Sequence, residues 1–228
     1  VTYTNNDYGK GLADVYSAAV KAHGIKVTTV AAHEDGKADY SAEVSTLASA
    51  GGDAVAVIGY LDQGGKGIIQ GSLDSGAFDT FILSDGMIGD SLIEAFGKSL
   101  NKSFGSLPGS TGKGAGVFTK VAKAAGIDSS GPYTGESYDA AALIVLAMQA
   151  GGSADRGSIA KNVMAVANGP GKKIYPGELK KALDLLAKGK AVDYEGATGV
   201  VFTKVGEAEG SFLEKEIKYG KFKTKKQR

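Results

Sequence analysis

With 228 residues, 43% of them apolar, the chain is long enough to fill one large core or two small ones and is expected to be globular. The formal charge is +1, but Lys221 to Arg228 hold five positive charges and no acid, which leaves the preceding residues at −4; a slightly acidic body argues against a nucleic-acid partner, and the tail is expected to be a frayed, solvated end. Cysteine is absent, which excludes a disulfide framework, thiolate chemistry and a Cys-based zinc site, and no window approaches the ~18 consecutive apolar residues that a membrane-spanning helix needs.

Val1 to Thr4 reads as a strand already under way, Asn5 to Gly9 as a turn, and Leu12, Val15, Tyr16, Ala19 and Val20 fall at helical spacing up to His23-Gly24. Lys26 to Val30 is β-branched and predicts a second strand; the helix after it carries Val44, Leu47 and Ala48 on one face, with Ser41 placed to cap it. Ala54 to Ile58 predicts the third strand, Lys66 to Ser75 a Gly-rich helix, Phe81 to Leu83 the fourth strand and Asp90 to Phe96 a further helix. Strands alternating with helices at this pitch predict an α/β fold with a doubly wound parallel sheet.

From Asn101 to Gly116 the composition turns to Gly, Ser and Lys with a single Pro108, which reads as a crossing between domains. Helices are predicted at about 115–125, 137–150, 158–167 and 177–188, with almost no strand between them. Ala140, Ala141, Ile144, Val145 and Met148 form a stripe that calls for burial against a sheet this segment does not supply. Val200 to Thr203 and Phe212 to Tyr219 alternate apolar and polar residues and predict a closing antiparallel pair.

Catalytic and metal motifs are missing. No G-x-S-x-G elbow and no two-His motif is present; His23 and His33 are isolated and read as surface histidines. Gly112-Lys113-Gly114 fails as a phosphate loop at both ends, and Gly65-Lys66-Gly67 fails as a dinucleotide fingerprint because its sixth position is Gln70. No cofactor is implied, and no enzyme activity.

The informative positions are at strand ends. With strand order 2-1-3-4, the carboxyl ends of the first, third and fourth strands are neighbours, and Tyr8, Tyr60 and Asp85 follow them. Two phenols, each bringing a hydrogen-bond donor and an apolar wall, beside one carboxylate suit a small amphiphilic cation or zwitterion, and the amides around Gly9 and Gly11 are placed to hold an anionic group.

The stretches 3–11 (YTNNDYGKG), 59–65 (GYLDQGG), 84–86 (SDG), 131–141 (GPYTGESYDAA), 175–183 (YPGELKKAL) and 193–202 (DYEGATGVVF) resemble, in order, the periplasmic substrate-binding proteins of branched-chain amino acid ABC transporters. The resemblance implies a type I periplasmic-binding-protein fold whose two lobes close on an amino acid by hinge motion, with a membrane permease as partner and a periplasmic location, or an extracellular membrane-anchored one. It implies that 1–107 is the second, ligand-binding lobe, 108–190 the helical part of an incomplete first lobe, and 191–228 a return segment with a basic tail. Tyr8 and Tyr60 fall on tyrosines that line the ligand, Asp85 on the acid that pairs with its ammonium group, and Tyr133 on an aromatic position that walls the side-chain pocket. The acid is often glutamate; Asp85 is one methylene shorter, so the ligand must sit deeper or a water must bridge. The same architecture also serves sensory and regulatory modules for amide or amino-acid-like ligands.

Overall fold

The computed structural model describes residues 1–228. The chain divides into two compact units, one of Val1–Leu107 with Glu214–Lys226 and the other of Pro108–Leu213 with Gln227–Arg228.

The first unit runs β1 (Thr2–Thr4), α1 (Asp7–Ala22), β2 (Ala31–His33), α2 (Ser41–Ala50), β3 (Val55–Ile58), α3 (Gly65–Ser75), β4 (Phe81–Leu83) and α4 (Asp90–Phe96), and ends in β5 (Phe104–Pro108). The strands β2, β1, β3, β4 and β5 lie side by side in that order, each neighbouring pair parallel, as the right-handed βαβ pattern of the sequence demands. All four side chains of β3, Val55 to Ile58, are buried, which is what a central parallel strand covered on both faces requires. Ile68, Ile69, Phe81, Leu83, Met87, Leu92 and Leu100 complete this core.

Four expectations for this unit need correction. The second strand is at Ala31–His33, not at Lys26–Val30: strand extent follows the partner, and β1 offers only Thr2 to Thr4 for pairing, with Thr2 opposite Ala31. Intrinsic β-propensity at Val27 to Val30 has no ladder to join, and Val30 is left exposed. Ser41 is not the helix cap; it is the first residue of α2, and Asp39 Oδ1 accepts the Ser41 amide at 2.9 Å. The crossing after Asn101 contains β5, whose Gly105 and Leu107 are buried while Phe104 and Ser106 are exposed. Finally, His33 is no surface residue: it is 1% exposed, and its Nδ1 lies 2.9 Å from Thr2 Oγ1.

The second unit carries α5 (Lys113–Ala124), α6 (Thr134–Gly151), α7 (Arg156–Ala167), β6 (Lys172–Ile174), α8 (Leu179–Leu186), β7 (Val192–Tyr194), β8 (Val201–Phe202) and β9 (Ala208–Glu209). The segment does have a sheet of its own, though only a small one: β6 and β7 pair in parallel, Lys172 opposite Val192. Leu143, Leu146, Ala147, Val166, Ile174, Ala182 and Tyr194 pack into one core around it. The helical stripe expected to be buried is instead partly outward: Ile144 and Val145 are exposed, and Ala142, Leu143, Leu146 and Ala147 provide the packed face of α6.

The closing antiparallel pair also forms differently. β8 pairs with β9, Val201 opposite Glu209, whereas β10 (Phe212–Ile217) and β11 (Phe222–Gln227) extend the large sheet beyond β5. The basic tail is therefore mostly an edge strand and not a frayed end. Lysines along a sheet edge discourage pairing with other chains, so a charge run and a strand are compatible there.

Candidate ligand-binding site

The parallel register brings the carboxyl ends of three strands to one level: Tyr3 lies opposite Ile58, and Val57 opposite Leu83. Each strand then turns. After β1, Asn6 caps α1 by accepting the Gly9 amide at 2.8 Å on Oδ1, and Tyr8 projects from the first helical turn. Gly9 is obligatory here, because a Cβ would lie 2.0 Å from the Thr4 carbonyl oxygen. After β4, Ser84 leads into the turn Asp85–Met87, and Gly86 lies so close to β3 that a Cβ would stand 2.4 Å from Gly59 O and 3.1 Å from the Tyr60 ring.

These turns collect the three residues expected at the rim. The Tyr8 and Tyr60 rings stack with centroids 5.3 Å apart and planes inclined by 28°. The Tyr8 hydroxyl donates to Asp85 Oδ1 at 2.6 Å, a length typical of a charge-assisted bond to a carboxylate. All three side chains are half-buried. Burial, followed by the hydrogen bond to Asp85, pushes the ionisation of Tyr8 well above the ordinary tyrosine range, so the phenol stays neutral at any physiological pH. The expectation that both phenols bring a donor is thereby modified, because the Tyr8 proton is already given to Asp85. The anion-holding role expected of the Gly9 amide is likewise taken, by Asn6.

Tyr133 belongs to the second unit. It precedes α6 in a left-handed backbone conformation, φ 61°, and is 38% exposed. For a bulky L-residue this conformation costs on the order of 1–2 kcal/mol.

Two residues that matter locally carried no role in the sequence. Ser84 Oγ lies 3.2 Å from the Tyr8 hydroxyl and accepts the Gly59 amide at 3.3 Å. Its signals were its place at a strand end, directly before the acid, and its membership of the 84–86 stretch. In the second unit Asp139, 2% exposed, accepts four hydrogen bonds: Tyr194 Oη at 2.9 Å and the Ala197 amide at 2.8 Å on Oδ1, and the Thr198 amide and hydroxyl, both at 2.8 Å, on Oδ2. Burial, then the Asp139 charge and hydrogen bond, hold the Tyr194 phenol neutral as well. No group of three or more His, Cys, Asp or Glu is placed to hold a metal ion, and no helix is long and apolar enough to cross a membrane.

No protein-family model matches the chain. The chain is 29% identical over 205 residues to the chemotactic signal transduction system substrate-binding protein BasB of Halobacterium salinarum, covering 88% of this chain and 46% of that protein. It is 30% identical over 164 residues to Leu/Ile/Val-binding protein homolog 1 of Brucella melitensis, covering 71% of this chain and 43% of that one. The chain thus spans a little under half the length of these relatives. Among solved structures, a leucine-binding protein of Thermotoga maritima superposes with a TM-score of 0.74 at 20% identity, covering 99% of this chain and 59% of its own. The branched-chain amino acid transporter substrate-binding protein of Streptococcus pneumoniae, solved with isoleucine, superposes with a TM-score of 0.70 at 18% identity, covering all of this chain and 58% of its own. The chain thus has the type I periplasmic-binding-protein fold, and its sequence is similar to a substrate-binding protein and a Leu/Ile/Val-binding protein homolog.

Proposed function

We propose that this chain is the ligand-binding part of a solute-binding protein that takes up an amino acid for an ABC importer. The observation that carries the reading is the convergence of Tyr8, Tyr60 and Asp85 from three separate strand ends. Asp85 receives the α-ammonium group, the stacked phenols wall the ligand beside it, and Tyr133 lines the side-chain pocket from the other lobe. Val1–Leu107 serves as the second lobe of the family and 108–190 as the helical part of the first, and the two close on the ligand about a hinge. The protein works without a cofactor and without catalysis, beside a membrane permease, in the periplasm or held at the outer face of the membrane.

An ammonium–carboxylate hydrogen bond in a closed site contributes about 1.5–3 kcal/mol, which is tenfold or more in affinity. Titration calorimetry with leucine, isoleucine and valine is therefore expected to show binding that Asp85→Ala weakens at least tenfold. Unchanged affinity in that variant removes the assignment of Asp85.

A second reading, that the same site feeds a sensory system, is favoured by the likeness to a chemotactic substrate-binding protein. Loss of labelled amino-acid uptake on deletion of the gene supports transport; intact uptake with loss of taxis toward the same amino acid supports sensing.

A further inference from the structure

Ser84 is held from two directions. Its amide donates to Val57 O at 3.2 Å, and its hydroxyl oxygen accepts the Gly59 amide at 3.3 Å, so the residue bridges the ends of β3 and β4. The same oxygen is 3.2 Å from the Tyr8 hydroxyl, which is 2.6 Å from Asp85 Oδ1. A phenol has one proton, and an ionised carboxylate only accepts. The shorter contact, to the charged partner, therefore takes the Tyr8 proton. The 3.2 Å contact is then made by the serine's own proton, donated to the phenol oxygen, while a serine lone pair receives the Gly59 amide.

We propose that Ser84 is a positioning residue: it is the middle link of a directional chain that runs from the Gly59 N–H through the Ser84 hydroxyl and the Tyr8 phenol to the Asp85 carboxylate. The inference rests on the amino-acid-binding reading of the same site. Hydrogen bonds in such a row polarise one another, so a donor onto the phenol oxygen makes the phenol a better donor to the carboxylate. The chain also ties the acid to the sheet, since its first member is the backbone of β3's own end. A carboxylate held in this way loses little freedom when a ligand arrives. The chain compensates for the short side chain of Asp85, whose reach depends on being aimed correctly.

Two measurements on the full chain test this. In the first, the affinities of wild type, Ser84→Ala, Tyr8→Phe and the double variant for leucine, isoleucine and valine form a double-mutant cycle. Ser84→Ala is expected to weaken binding about 3- to 10-fold, Ser84→Thr to restore it, and the double variant to bind within about twofold of Tyr8→Phe alone, because the chain is broken once. Multiplying fold-changes, or an unchanged affinity in Ser84→Ala, overturn the proposal. The second needs no ligand: with 3-fluorotyrosine at position 8, the fluorine resonance is expected to shift in Ser84→Ala and to return in Ser84→Thr. A resonance that ignores Ser84→Ala also overturns it. Should the wild type bind none of the three amino acids, the function proposed above fails, while the fluorine result still decides the role of Ser84.

Discussion

The two units each hold a tyrosine hydroxyl against an aspartate, and the pairs are built to opposite ends. Tyr194 and Asp139 are almost fully buried, and every partner of Asp139 is a donor held at the end of β7 or in the loop that follows it. Tyr8 and Asp85 are half-buried at strand ends, beside the face of a second tyrosine. A buried carboxylate is tolerable only when its oxygens are saturated, because an unpaired buried charge costs several kcal/mol. Asp139 is therefore structural, a clamp between α6 and the 195–199 loop. An acid at a half-buried rim remains within reach of solvent, and the same residue types there are suited to recognition.

The comparison breaks most directly at Asp139. Asp139→Ala leaves the Tyr194 and Thr198 hydroxyls and two amides without their acceptor, and is expected to destabilise the second unit by about 3 kcal/mol or more in urea unfolding. Asp139→Asn should rescue little, since an amide nitrogen would face the Thr198 amide, donor against donor. A loss below about 1 kcal/mol in the alanine variant would remove the distinction between the two pairs.

His33 gives a smaller, pH-dependent contrast within the first unit. It is buried beneath the rim, and its Nε2 makes no hydrogen bond to the protein. Burial lowers its ionisation below the ordinary value, and the nearby Asp35, Glu43 and Glu34 pull weakly the other way. The unfolded chain therefore binds a proton at a higher pH than the folded one. Its contribution to stability is complete above the ordinary histidine value of 6.5 and is lost as pH falls below it. Unfolding free energies measured down that range should fall less steeply in His33→Gln than in wild type; an identical slope would show that the ring titrates as if solvated.

The smallest expected effect sharpens the comparison. Asp85→Ala, which is expected to weaken amino-acid binding at least tenfold, should change the stability of the first unit by no more than about 1 kcal/mol, because a half-buried site can be rehydrated. A larger loss would make Asp85 a structural clamp like Asp139.

Much of the rim was legible before any coordinates. The alternation of apolar runs and helical repeats predicted a parallel, doubly wound sheet; given the order 2-1-3-4, which the structure has, Tyr8, Tyr60 and Asp85 follow neighbouring strand ends. Ser84 was not legible as a partner, because a serine next to an acid has no periodicity to betray it; its bonds to Gly59 and Tyr8 depend on two other strands arriving at the same height. Asp139 was hidden for the same reason, since its partners lie more than fifty residues away on a loop.

What the amino-acid sequence determined by itself is whatever depends on near neighbours: the helices and the buried strand Val55–Ile58. What only the tertiary structure decided depends on partners distant along the chain. The second strand moved to Ala31–His33 because β1 pairs there, β5 formed from a Gly/Ser stretch because β4 had an open edge, and the basic tail became β11 because β10 was beside it. A strand has no internal hydrogen bonds, so its limits are set by what lies alongside it; a helix satisfies its own backbone and can be read locally.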